Sequence, residues 1–231
     1  KPSVLGLITR NQITEPSNWR NTQSFSEWLK RYNIPGISGI DTRALTRKIR
    51  DEGAKTALLS YKKNADFNFE TIKNEIAAWP GLKDMDLAKT VTCSATTEWS
   101  GGLYRFDFEH KYSSGLNVTK KHKVIAIDFG AKHNIFRCLE TASCEIILLP
   151  ANTTANEVLS HNPDGIFLSN GPGDPEATSK YSGNEIRTLV ETGIPLFGIC
   201  IGHQLLALAL GGSTSKMDKG HRGANHPVKD L

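Results

Sequence analysis

Hydrophobic and polar positions change rhythm midway along the chain. From residue 123 onward, continuous apolar runs alternate with stretches of helical period. "KVIAIDFG", "CEIILLP", "GIFLSNG" and "IPLFGI" read as strands. Residues 134–141, 155–161, 183–192 and 201–210 read as the helices between and after them. Strands that are apolar at every position, separated by helices, predict a parallel sheet covered on both faces. Sites in such sheets form at the carboxyl ends of strands. Three of these ends carry unusual residues: "DFGAK", "SNGPGDP" and "GICIGHQ".

The first half is less regular and predicts mixed α and β structure. Residues 4–9 read as a strand. Ser24, with Glu27 three residues on, opens a helix through a capping box. "GIDTRALTRKIRDEG" reads as a second helix, with Asp41 as N-cap, Leu45 and Ile49 on one face, and Gly53 as its stop. Residues 57–61 read as a strand and 70–79 as a helix. Between His110 and Lys123 the chain turns polar, "HKYSSGLNVTKKHK", as linkers do. The predicted fold class is therefore α/β. A mixed α/β domain over 1–112 is followed by a linker at 113–122. A doubly wound, mostly parallel domain then spans 123–231.

Composition narrows the partners. The chain has 231 residues and a net charge of +4, without any extended lysine and arginine block, so no nucleic-acid surface is indicated. No apolar run is long enough to span a bilayer, so no membrane partner is expected. The four cysteines, Cys93, Cys138, Cys144 and Cys200, form no C-x-x-C pair. That argues against zinc and thioredoxin-like chemistry and fits free thiols in a reducing cytoplasm. No metal site is expected. The chain opens on "KPSVLGLITR" and closes on "HPVKDL", and both ends read as cut from a longer chain.

Gly198-Ile199-Cys200-Ile201-Gly202 has the G-x-nucleophile-x-G form of a nucleophile elbow. Such an elbow turns sharply from strand to helix. Flanking glycines let the two close up, and the amide of Ile201 faces a developing oxyanion. A lone cysteine is more commonly a buried structural one. The glycines, the preceding strand and the following helix favour the nucleophile here. A helix end stabilises a nearby anion by ~0.3–1 kcal/mol, up to about 2, and supplies no proton for a leaving group. A histidine base oriented by a carboxylate is therefore required. His203 is better placed to pack or cap locally than to reach the thiol. His221 and His226 sit in "KGHRGANHP" at spacings that argue for neither. "SNGPGDP" fits two readings equally: a plain turn, or a loop whose Gly171 amide is a second oxyanion donor. It matches neither phosphate-loop pattern, which disfavours a nucleotide site.

"SNGPGDP" followed by "PLFGICIGHQLLALALGG" resembles the class I, triad-type glutamine amidotransferases. "PSNWR", "IPGISGIDTRALTRKIRDEGA" and "DFGAKHNI" resemble the small-chain family of carbamoyl-phosphate synthase, which hydrolyses glutamine. The resemblance implies that Cys200 is the catalytic nucleophile. It also implies that Gly171, Gly173, Ile201 and Gln204 bind L-glutamine. It further implies a partner, a large synthetase subunit, which receives ammonia through a tunnel. That partner makes carbamoyl phosphate for arginine and pyrimidines, and it holds ATP and Mg, leaving no cofactor in this chain. The family's catalytic histidine and glutamate come from an H-x-E element expected beyond Leu231, so these 231 residues alone are expected to be inactive. Two alternatives compete: a docking or regulatory module without glutaminase activity, and the amidotransferase subunit of another synthase, such as anthranilate synthase.

Overall fold

The computed structural model describes residues 4–53, 55–104 and 122–217. The chain divides after Gly81, and the second compact unit spans Leu82–Ser215.

In the first unit, β1 (Leu7–Ile8), α1 (Phe25–Arg31), β2 (Gly36–Ile37), α2 (Thr42–Glu52) and α3 (Phe69–Ala78) follow in order. β1 and β2 pair in parallel, Leu7 with Gly36 and Ile8 with Ile37. The capping box of α1 is complete. Ser24 Oγ accepts from Glu27 N at 3.2 Å, and Glu27 Oε2 accepts from Ser24 N at 2.9 Å. Ser24→Ala should remove about 1 kcal/mol of local stability. Native-state exchange of the α1 amides should then quicken about fivefold. Asp41 Oδ1 caps α2, accepting from Arg43 N and Ala44 N, and Gly53 ends it at φ 81°.

Residues 57–61 carry no ladder, contrary to the sequence pattern. Leu59 meets the first-strand segment through its side chain instead. Its Cδ2 lies 2.8 Å from where a Cβ on Gly6 would stand.

The second unit contains α4 (Ala88–Val91), β3 (Thr97–Glu98), β4 (His122–Asp128), α5 (His133–Thr141), β5 (Cys144–Pro150), α6 (Ala155–Ser160), β6 (Gly165–Leu168), α7 (Pro175–Glu191), β7 (Leu196–Gly198) and α8 (Ile201–Ala209). Five strands form one sheet in the order β3-β5-β4-β6-β7. β4 to β7 are parallel, and β3 runs antiparallel along the edge at β5. Alternate strand residues face opposite layers, as a pleated sheet requires. Ile125, Ile127, Ile147, Leu149, Ile166 and Leu168 pack under α6, α7 and α8. Ala126, Ile146, Leu148 and Phe167 pack with Phe136 of α5. The sheet is therefore mostly parallel and covered on both faces.

Two differences from the sequence pattern bear on the site. Residues 82–104 belong with the sheet, although the pattern assigned everything up to residue 112 to the first domain. Backbone pairing of β3 with β5 ties them there. The predicted linker at 113–122, His122 apart, lies outside the described residues. Helix α7 also begins two turns before Gly183. Asp174 caps it, Pro175 occupies its first turn, and the hydroxyls of Ser179 and Ser182 donate back to helix carbonyls. Those polar residues mask the helical period.

Candidate active site

β4 and β7 flank β6, so the three unusual strand ends emerge side by side on the carboxyl edge of the sheet. The connection from β4 leads to β5 on one side, and that from β6 leads to β7 on the other. The crevice between β4 and β6 is thus a topological switch point, where ligands bind in open α/β sheets.

At the end of β7 the chain reverses sharply into α8. Cys200, the turning residue, has φ 56° and ψ −114°. A non-glycine residue held there costs about 1–3 kcal/mol, which the surroundings must offset. They do so by close packing. A Cβ on Gly198 would stand 2.6 Å from the Gly202 carbonyl carbon, and one on Gly202 would strike the Leu168 carbonyl oxygen. Ile199 N donates to Leu168 O at 3.1 Å, tying the elbow to β6. The Cys200 side chain is exposed. Ile201 is the first residue of α8, where an amide N–H has no acceptor within the helix. Gln204 N donates to Cys200 O at 3.0 Å, so Gln204 stands one turn beyond the thiol, and its side chain is exposed.

The loop after β6 is held from both sides. Ser169, fully buried, accepts from Phe129 N through Oγ at 2.8 Å and donates to Asn170 O at 2.8 Å. Asn170 Oδ1 accepts from Lys132 N at 3.0 Å. Asp128, at the end of β4, accepts from Gly130 N and Ala131 N. These bonds lock the β4 and β6 loops together. Gly171 follows, and a Cβ there would strike the Phe129 carbonyl oxygen. Gly173 has φ +103°, and its Cβ would lie 2.8 Å from Leu87 N. Both glycines are required by close backbone approach, Gly173 also by its dihedral.

The structure thus brings the sequence-predicted residues to adjacent strand ends: Cys200, Ile201 and Gln204 after β7, Gly171 and Gly173 after β6. His203 is exposed on α8. Among the described residues, no hydrogen bond joins Cys200 to a histidine. His221 and His226 lie outside the described residues. Also among the described residues, no group of three or more His, Cys, Asp or Glu side chains is placed to hold a metal ion, and no helix is long and apolar enough to cross a membrane.

Sequence reasoning missed the supporting residues. Ser169, Asn170 and Asp128 lie inside the quoted motifs, but the sequence assigned them no role in holding the loops. Cys93 N donates to Asp128 Oδ2 at 2.7 Å. Burial, and then the Asp128 charge, push the Cys93 thiol up, which disfavours its thiolate. Behind the loop, Asp86 accepts from Thr178 Oγ1 at 3.2 Å and Tyr181 OH at 3.4 Å. Burial, then the Asp86 charge, push the Tyr181 phenol from 10.0 up to about 12. Above pH 10 the unfolded chain sheds this proton first, so folding weakens as pH rises toward about 12. Tyr181→Phe should remove that part of the alkaline decline. Chemical denaturation of both proteins across this range measures the difference.

Residues 125–231 match the family "Glutamine amidotransferase class-I", and residues 1–59 match "Carbamoyl-phosphate synthase small chain, CPSase domain". The carbamoyl phosphate synthase small chain of Brucella anthropi is 48% identical over 227 residues, covering 98% of this chain and 55% of that one. That of Brucella canis is 49% identical with the same coverage. The chain spans about half the length of these curated relatives. A solved structure described as a GMP synthase subunit, from Thermoplasma acidophilum, aligns with TM-score 0.36 at 26% identity, over 40% of this chain and 46% of that one. The chain is thus similar over nearly its whole length to the small chains of carbamoyl phosphate synthases, and its residues 125–231 match the class I glutamine amidotransferases.

Proposed function

We propose that this chain hydrolyses L-glutamine as the small subunit of a carbamoyl-phosphate synthase, with Cys200 as nucleophile. The observation that carries the reading is the elbow: an exposed thiol on a strained turn, at a helix N-terminus, beside a glycine loop held by its neighbours. The Cys200 thiolate attacks the side-chain amide carbon of glutamine. The amides of Ile201 and Gly171 stabilise the oxyanion. Gly173 and Gln204 contribute to holding the substrate.

The C–N bond then breaks, and nitrogen leaves as ammonia after taking a proton from a histidine, itself oriented by a carboxylate. Water, activated by the same histidine, attacks the γ-glutamyl thioester. Glutamate leaves and the thiol is restored. His203 lies on the helix that Cys200 caps and makes no bond to the thiol.

Ammonia passes to a large synthetase subunit, which uses bicarbonate and ATP with Mg to make carbamoyl phosphate for arginine and pyrimidine synthesis. Nucleotide chemistry belongs to that partner; no phosphate-loop pattern occurs in this chain. Four free cysteines suit a reducing cytoplasm.

A glutamine-mimicking electrophile tests the reading in the complete small chain. Labelling of Cys200 that glutamine blocks supports it. Labelling of the other exposed cysteine, Cys138, or labelling that glutamine does not block, supports a docking module without glutaminase activity.

A further inference from the structure

Residues 84–93 bond to the end of β4, to the residue after β5 and to the loop that follows β6. At β4, Cys93 N donates to Asp128 Oδ2 at 2.7 Å. At β5, Thr92 Oγ1 accepts from Ala151 N at 2.9 Å. Beyond β6, the bonding is reciprocal. Asp84 N donates to Asp174 Oδ2 at 2.9 Å, and Asp174 N donates to Met85 O at 2.9 Å.

The segment is anchored at its middle. Ala88 is fully buried in the main core, and Asp86 takes hydrogen bonds from Thr178 and Tyr181 on α7. It also touches both glycine loops. A Cβ on Gly130 would meet Val91 Cγ2 at 2.5 Å, and one on Gly173 would meet Leu87 N and Met85 O.

Each end of the β6 loop therefore has a backbone neighbour: the Phe129 carbonyl against Gly171, and Met85 to Leu87 against Gly173. Removing the strap would free the second end. A flexible loop still folds, but its amide no longer sits where the oxyanion forms. An error near 1 Å in such a position costs about 100-fold in rate.

We propose that residues 84–93 are a positioning strap that sets the Gly171–Asp174 loop for glutamine hydrolysis, with Asp174 as the positioning residue that couples strap to loop. The inference rests on the proposed glutaminase reading of the same site. Asp174 has two separable tasks. Its Oδ1 caps α7 by accepting from Glu176 N at 3.0 Å, and its Oδ2 takes the strap amide of Asp84. Serine caps helices as well as aspartate but has one oxygen on a shorter arm. Asp174→Ser therefore keeps the cap and drops the bridge.

The test uses the complete small chain assembled with its synthetase partner. Asp174→Ser should lower glutamine-dependent kcat by about 10- to 100-fold. KM for glutamine, the unfolding midpoint and ammonia-dependent synthesis should change less than about threefold or by a few degrees. An unchanged kcat, with or without a lowered midpoint, overturns the proposal. Should Asp174→Ser fail to fold, Asp86→Ala decides. It leaves the α7 cap intact and removes the acceptor that ties the strap to Thr178 and Tyr181, and wild-type kcat there overturns the proposal too. If Cys200→Ala retains glutamine use, the glutaminase reading itself fails. If Cys200 is essential while both strap variants keep wild-type kcat, only the strap fails.

Discussion

Cys200→Ala in the complete small chain, assembled with its synthetase partner, is expected to abolish glutamine-dependent carbamoyl phosphate synthesis and to leave ammonia-dependent synthesis at its wild-type rate. The nucleophile cannot be replaced by water at this position. Losing a nucleophile that acts as a unit with its base removes on the order of 10⁴-fold or more in kcat. Synthesis from free ammonia bypasses the thiol altogether, so it serves as the control for folding and assembly.

Alanine is the right substitution because it keeps the Cβ, and with it the backbone strain at φ 56°. Glycine relieves that strain. Cys200→Gly should therefore unfold at a higher temperature than Cys200→Ala while being equally inactive with glutamine. A thiol needed only for structure predicts a different outcome: lowered stability in both variants and retained glutamine use.

Gly171→Ala should produce the next largest loss. The new Cβ would occupy space held by the Phe129 carbonyl, one residue past the end of β4. Phe129 N is itself bonded to Ser169 Oγ, so the carbonyl has little room to withdraw. The β6 loop must move instead, carrying the Gly171 amide away from the oxyanion. Removing one oxyanion donor costs ~2.7–4 kcal/mol, or about 10²–10³ in kcat. Overpacking adds about 1–3 kcal/mol of destabilisation. Steady-state kinetics with glutamine should show the loss mainly in kcat. A change confined to KM would mean that Gly171 shapes substrate binding alone.

Much of this arrangement was legible in the sequence, for reasons that differ between elements. β4 to β7 stand out because strands buried on both faces must be apolar throughout, and β5 matches "CEIILLP" residue for residue. The caps at Ser24 and Asp41 are local chemistry, readable within four residues. β3 and α4 escape notice because they are short, two and four residues, and their placement comes from distant partners. The elbow is legible because its glycines flank a cysteine. Gly171 is not legible in the same way. Its backbone is not in a left-handed conformation; it is glycine because Phe129, 42 residues earlier, passes too close. The strap is hidden for the same reason: Asp86 and Tyr181 lie 95 residues apart, and neither sits in a motif.

The most direct measurement of the chemistry is to stop the reaction of the complete enzyme with labelled glutamine by acid and to map the acylated peptide by mass spectrometry. A γ-glutamyl group on the peptide bearing Cys200, absent from Cys200→Ala, is the predicted result. Glutamate release without acylated Cys200, or the group on another cysteine, would contradict it.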